Sequence, residues 1–259
     1  MFRPLFCDAH FHLIPSIEKQ TELWTSGSSF YGVTCAHSPE EYFVQHDRVS
    51  LLKNEGFCIY EAFGIHPQNP VPEYADFLEK LLMQRKIAAV GECGFDFYDE
   101  YFKKNEILQK KCFELCTELA LKYDVPVIIH DRKALNELFF YKKVLKRLPS
   151  CIFHGFGFSK NEASSLLSNG INAYFSFGKN LLRNSRRSIE CLCSLERKRI
   201  LLETDAPFMT LREQDFTPLS DIKKVYDAAA KYLSLEAAAL EELILENFSE
   251  AYFLRTSTI

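Results

Sequence analysis

The sequence predicts a (β/α)8 TIM barrel on three observations. Eight short apolar runs recur through the 259 residues, at 4–7, 32–36, 58–63, 87–90, 126–129, 151–153, 172–175 and 199–202. Within the runs, apolar residues sit at successive positions rather than alternating, as in parallel strands covered on both faces. From Leu5 to Ile200 the seven intervals average about 28 residues, close to the beat of a strand–helix unit. On periodicity alone, an open doubly wound sheet is the competing architecture.

Helix signals fill the intervals. Ser38-Pro39-Glu40-Glu41 offers an N-cap, a proline at the first helical position and acids in the first turn. Residues 102–122 carry apolar side chains at helical spacing, predicting one helix. Ser159-Lys160-Asn161-Glu162 reads as a capping box and Asn169-Gly170 as a helix end. Two helices, 219–232 and 235–253, are expected to finish the chain. No linker or low-complexity segment divides it, so residues 1–259 are expected to form one domain.

Composition narrows the function classes. With 47% hydrophobic and 25% charged residues, the chain is neither disordered nor fibrous. Its formal net charge of −4 argues against a general electrostatic grip on nucleic acid, so any such role rests on a local site. No apolar stretch reaches the eighteen or so residues of a membrane span. The N-terminus meets Asp8 and His10 before any run long enough for a signal peptide. Among nine cysteines, Cys7, Cys58 and Cys151 lie in apolar runs, where a reduced thiol packs as a small hydrophobe; a cytoplasmic location is expected. Cys191 and Cys193 form a close pair that either packs, binds metal or oxidises. No heptad run marks an oligomer.

The histidines locate the chemistry. Of seven, six (His10, His12, His37, His66, His130 and His154) stand at or just after the end of a β run; His46 falls inside a helix. In a barrel, chemistry gathers at that end. His10 and His12, two apart, present imidazoles to one side, although polar residues simply closing a strand would give the same pair. Glu92, set between Gly91 and Gly94, has backbone room beside it and two oxygens with which to bridge two ions. A salt-bridging surface acid is its plainer reading, and Asp96 is a candidate to orient an imidazole. His130 and His154 end wholly apolar strands. Asp205 follows the last strand, which barrel closure places beside the first. These residues make one site: His10, His12, Glu92 and Asp205 for one divalent ion, and Glu92, His130 and His154 for a second. Nitrogen and oxygen donors without thiolate favour Zn, Mn or Mg.

In order along the chain stand DAHFHL from Asp8, GIHP (64–67), GECGFDF (91–97), PVIIHDR (126–132), FHGF (153–156) and LLETDAP (201–207). This succession resembles the TatD family of metal-dependent hydrolases, within the amidohydrolase-like barrels. The resemblance implies a (β/α)8 barrel with a mono- or dinuclear divalent metal centre and phosphodiester hydrolysis, usually as a DNA exonuclease. It maps the metal ligands onto His10, His12, Glu92, His130, His154 and Asp205, and a further site histidine onto His66. Many members carry cysteine where Gly155 stands, and an Arg-Asn-Glu-Pro segment where this chain has residues 208–218.

The expected chemistry is attack of an activated water on phosphorus, with Asp205 as general base and Glu92 between the metals. His66 and Arg132 would hold the phosphate, and a basic stretch at 179–187 would either grip a nucleic-acid backbone or simply start a solvated helix. DNA, single-stranded or at 3′ ends, is the expected substrate, with no membrane partner. Two other readings remain: a hydrolase of another ester or amide, such as an aminoacyl-tRNA ester, and a non-catalytic partner in DNA degradation.

Overall fold

A computed structural model describes residues 5–19, 29–55 and 57–254. Pro4 of the first predicted run lies outside them. The strands are β1 (Leu5–Phe11), β2 (Ser29–Ala36), β3 (Phe57–Phe63), β4 (Ala89–Asp96), β5 (Val127–Arg132), β6 (Cys151–Phe153), β7 (Ala173–Phe177) and β8 (Ile200–Leu202). The helices among the described residues are α1 (Leu13–Lys19), α2 (Pro39–Asn54), α3 (Ala75–Met83), α4 (Glu100–Lys103), α5 (Glu106–Tyr123), α6 (Leu135–Phe140), α7 (Lys142–Leu145), α8 (Lys160–Ser168), α9 (Lys179–Leu182), α10 (Arg186–Ser194), α11 (Ile222–Leu233) and α12 (Ala237–Ala251). Neighbouring strands pair in parallel, in sequence order from β1 to β8. Two backbone hydrogen bonds join the ends of that order: Asp205 N donates to His10 O (3.0 Å) and His12 N to Ala206 O (2.8 Å). The order never reverses as it would in a doubly wound sheet, and the structure is the barrel.

All eight predicted runs are strands, but several reach further than their apolar part. β1 continues through Asp8 and His10, β4 through Glu92 and Asp96, and β5 through His130. A polar residue can continue a buried strand when its side chain finds partners in the barrel mouth, and these do. The pairing register shifts between Asp8 and Phe11 and between Val90 and Cys93, flanking His10 and Glu92. Such irregularities re-aim side chains beside sites. Gly91, at φ +147°, is required here: a Cβ would stand 2.6 Å from Ile128 O on β5.

The local helix signals hold. Ser38 Oγ accepts from Glu41 N, the Ser159–Glu162 capping box is present in both directions, and Asn169 caps α8 ahead of Gly170 at φ +79°. The single helix expected over 102–122 is broken after α4. Gln109 explains the break: its side chain accepts from Asp96 N (2.9 Å) and donates to Phe102 O (2.9 Å), tying the top of β4 to the interrupted turn. The closing helices anchor β1, since Tyr226 Oη accepts from Cys7 N (2.9 Å) and Tyr252 Oη donates to Ala9 O (2.6 Å).

All nine cysteines are free; Cys191 is buried in α10 and Cys193 exposed on it, so they neither pair nor share a face. Among the described residues no helix is long and apolar enough to cross a membrane. The 208–218 segment closes on itself, with Phe208 N bonded to Asp205 O (2.7 Å) and Thr217 N to Pro207 O (2.9 Å). Lys179, expected on a basic surface loop, is instead fully buried, its ammonium bonded to Asp221 and to Gln214 Oε1 (2.7 Å).

Candidate metal centre

Glu92 sits at the middle of the barrel mouth, 2% exposed, and its two oxygens face different neighbours. Oε2 lies 3.3 Å from His10 Nε2, 3.3 Å from His12 Nε2 and 3.4 Å from His37 Nε2. Oε1 lies 2.5 Å from His154 Nε2, 3.1 Å from His130 Nδ1 and 3.7 Å from His66 Nε2. Asp205 Oδ1 closes the first group, 3.6 Å from His10 Nε2 and 3.4 Å from His12 Nε2. The structure thus brings together all six expected ligand residues. It adds His37 beside one oxygen of Glu92, and places His66, expected to face phosphate, beside the other.

Imidazole nitrogens also face one another. His10 Nε2 and His12 Nε2 are 3.2 Å apart, as are His130 Nδ1 and His154 Nε2 at 3.1 Å. At most one nitrogen of each pair can carry a hydrogen towards the other, so lone pairs converge on shared centres. Burial, the largest influence on each, pushes His10 down to about 4 and His66 down to about 3, leaving those two neutral, whereas at His12 and His154 the carboxylates of Asp205 and Glu92 overcome burial and raise them to about 10 and about 9 with no cation in place. Burial is also the largest influence on Asp205 and works against its charge, but the hydrogen bond with His12 and electrostatic interaction with His154, His10 and His12 together outweigh it and hold the carboxyl below its usual range. Three overlapping sets (His10/His12/Glu92, His10/His154/Asp205 and His66/Glu92/His130) bring their donor atoms within 4.8 Å of one another. Buried nitrogen and oxygen donors converging with no lysine or arginine among them fit a divalent cation.

A surrounding layer holds these groups in place. Asp96 Oδ2 is 3.2 Å from His130 Nε2 and accepts from Gln68 Nε2 (2.7 Å). Asp8, fully buried, accepts from Thr204 N (3.0 Å), Thr204 Oγ1 (2.6 Å) and His10 N (3.3 Å), locking β1 to the segment that carries Asp205. Glu203 accepts from Gly155 N and lies 3.9 Å from His154 Nδ1. Gly155 stands at φ +55°, which suits the glycine found here. Cys35 Sγ contacts His10 Nδ1 at 3.4 Å, and the Phe208 ring packs edge-on to His12 at 5.0 Å.

Arg132 stands at the margin. Its guanidinium is 3.6 Å from Asp96 Oδ2 and 4.1 Å from the centre of the Tyr98 ring, with the side chain 43% exposed. Asp8, Glu203 and Gln68 are the contributors that sequence reasoning missed, while His37 was placed at the rim without a role. For Asp8 and Glu203 a signal existed: each is an acid in or beside an apolar strand, where an unpaired carboxylate would be costly. Outer carboxylates of this kind fix the tautomer and angle of an imidazole. Asp96→Ala is therefore expected to weaken divalent-metal affinity about 10- to 100-fold, measured by titration calorimetry. Unchanged affinity would remove Asp96 from the support of His130.

A (β/α)8 barrel that gathers imidazoles and carboxylates at the C-terminal ends of its strands defines a metal-dependent hydrolase. More narrowly, the chain belongs to the TatD related DNase family, whose model matches residues 7–253. It is 28% identical over 196 residues to the uncharacterized metal-dependent hydrolase YabD of Bacillus subtilis, covering 74% of this chain and 73% of that protein. It is 30% identical over 164 residues to the 3'-5' ssDNA/RNA exonuclease TatD of Klebsiella pneumoniae, covering 61% of this chain and 60% of that one. Among solved structures, the TatD homologue YJJV of Escherichia coli superposes with a TM-score of 0.81 at 23% identity, over 96% of this chain and 98% of that one. This last likeness concerns the fold.

Proposed function

We propose that the protein is a divalent-metal-dependent exonuclease acting on single-stranded DNA. The observation that carries this reading is Glu92, whose two oxygens each face their own set of imidazoles. His10, His12 and Asp205 would hold one ion, and His130 and His154 a second, with Glu92 shared and Zn, Mn or Mg as candidates. Bound there, such ions would supply charge neutralisation at a phosphodiester and a water of lowered pKa.

The remaining roles fall to this chain's own groups. Asp205, charged at neutral pH and turned towards His10 and His12, takes the water's proton at its carboxylate. His66 orients the phosphate from the Glu92 Oε1 side. Arg132 meets it from the margin with a planar donor fork, pre-set by Asp96 and Tyr98. The name of the Klebsiella relative supports a single-stranded substrate attacked from its 3′ end, and nine free cysteines suit a reducing compartment.

The test is a time course on end-labelled single-stranded DNA with Mg²⁺ or Mn²⁺. A stepwise ladder that EDTA abolishes is expected. Metal-loaded protein that leaves the strand intact would overturn the reading. Arg132→Ala is expected to raise KM for phosphodiesters about tenfold, the effect of losing one charge-assisted contact of roughly 1.4 kcal/mol. An unchanged KM would free Arg132 from the phosphate.

A further inference from the structure

We infer that a cleft between α8 and α10 binds backbone phosphates of the substrate strand away from the scissile bond; this rests on the proposed nuclease reading. The cleft is an open surface groove of about 380 Å3, lined by Ser159 and the exposed side chains of Lys160, Asn161, Arg186, Arg187 and Glu190. Three cations from two helices meet one acid there. Glu190 Oε1 accepts from Arg186 Nε at 2.7 Å, whereas Lys160 and Arg187 make no ion pair among the described residues. The cleft is therefore net positive on a chain whose formal charge is −4.

Its position suits a strand leaving the metal centre. Lys160 opens α8, which follows β6 and His154, and Arg186 and Arg187 open α10, which follows β7. Both helices thus start at the end of the barrel that carries Glu92. The chemistry of the lining selects the ligand. Cationic donors without an aromatic residue contact phosphate and leave bases unstacked, a sequence-independent grip.

The basic stretch at 179–187 is thereby sorted. Lys179 is buried against Asp221, and Arg183 commits its donors to Asn180 Oδ1 (3.2 Å) and Thr210 O (2.7 Å). Arg187 remains for the cleft together with the terminal nitrogens of Arg186, whose Nε is bonded to Glu190, and Lys160 joins them from the other helix. A free inorganic phosphate would satisfy the same groups, so the experiment separates a strand from a single ion.

The test compares wild-type protein with a Lys160→Gln/Arg187→Gln variant, both metal-loaded. Binding of a long oligothymidine with phosphorothioate linkages is followed by fluorescence anisotropy across a salt series, with inorganic phosphate as competitor. Hydrolysis of bis(4-nitrophenyl) phosphate serves as a strand-free control. The expected result is a salt dependence shallower by about 1.4 in log K against log [salt], roughly 0.7 per cation removed. Small-diester hydrolysis is expected to stay unchanged. An unchanged slope overturns the inference while leaving the nuclease reading in place. Displacement of the oligomer by phosphate at equal concentration also overturns it, marking a single-ion site. If the slope falls but wild-type protein hydrolyses no diester, the nuclease reading fails and the backbone cleft stands.

Discussion

Glu92→Gln is expected to reduce metal-dependent turnover to background while the barrel stays folded. The substitution keeps the shape of the side chain but replaces the charge shared by two sets of imidazoles. An amide also turns an NH2 donor towards lone pairs that converge on it. Only one amide oxygen remains, so at best one of the two groups, His10/His12 or His130/His154, keeps its acceptor neighbour. The loss should appear both in turnover of end-labelled DNA and in bound metal measured by elemental analysis. Asp205→Asn supplies the contrast. It keeps Glu92 between the histidine groups and removes the proton acceptor, so a loss of about 10²- to 10⁴-fold in turnover is expected with at least one ion retained. Wild-type turnover in Glu92→Gln would remove that residue from the centre, and wild-type turnover in Asp205→Asn would remove the base.

The second large effect is on stability. Lys179 is fully buried with its ammonium against Asp221 and Gln214, and Gln214 in turn donates to Asp221 (2.8 Å) and accepts from Leu211 N (3.2 Å). This network pins the 208–218 segment to α11, and with it Phe208 against His12. Lys179→Met leaves the Asp221 carboxylate buried with Lys224 (2.6 Å) as its remaining cation. Removing one partner of a buried pair costs about 3–5 kcal/mol. With an exposed lysine still in place the lower figure applies, a fall in melting temperature on the order of 6–12 °C. Adding Asp221→Asn should recover much of that loss, because the stranded charge is then gone. Equal melting temperatures for wild type and Lys179→Met would show that the pair contributes nothing net.

The sequence made the barrel legible because its strands are covered on both faces and read as unbroken apolar runs. Among the candidate metal-site residues, Glu92, His130 and His154 were legible for a related reason: each is the first chemically distinctive residue after such a run, whereas His10, His12 and Asp205 stand three or more residues beyond one. The strands' true ends were not legible, since His10, Glu92 and His130 extend their strands as polar side chains whose partners lie across the mouth on other strands. Asp8 and Thr204 lie 196 residues apart, and nothing local to either announces their bond. The break after α4 was likewise hidden, because its cause is Gln109 reaching back to Asp96 and Phe102. Lys179 was misread as surface for the same reason, its partners Gln214 and Asp221 lying 35 and 42 residues further on.

In the proposed centre one carboxylate, Glu92, serves two metal positions. A crystal of the wild-type protein grown with Mn²⁺ and measured for anomalous scattering tests it most directly. The expected map holds two peaks flanking Glu92, one towards His10, His12 and Asp205 and the other towards His130 and His154. A single peak away from Glu92, or none at the cluster in protein that carries manganese, would rule out a shared Glu92.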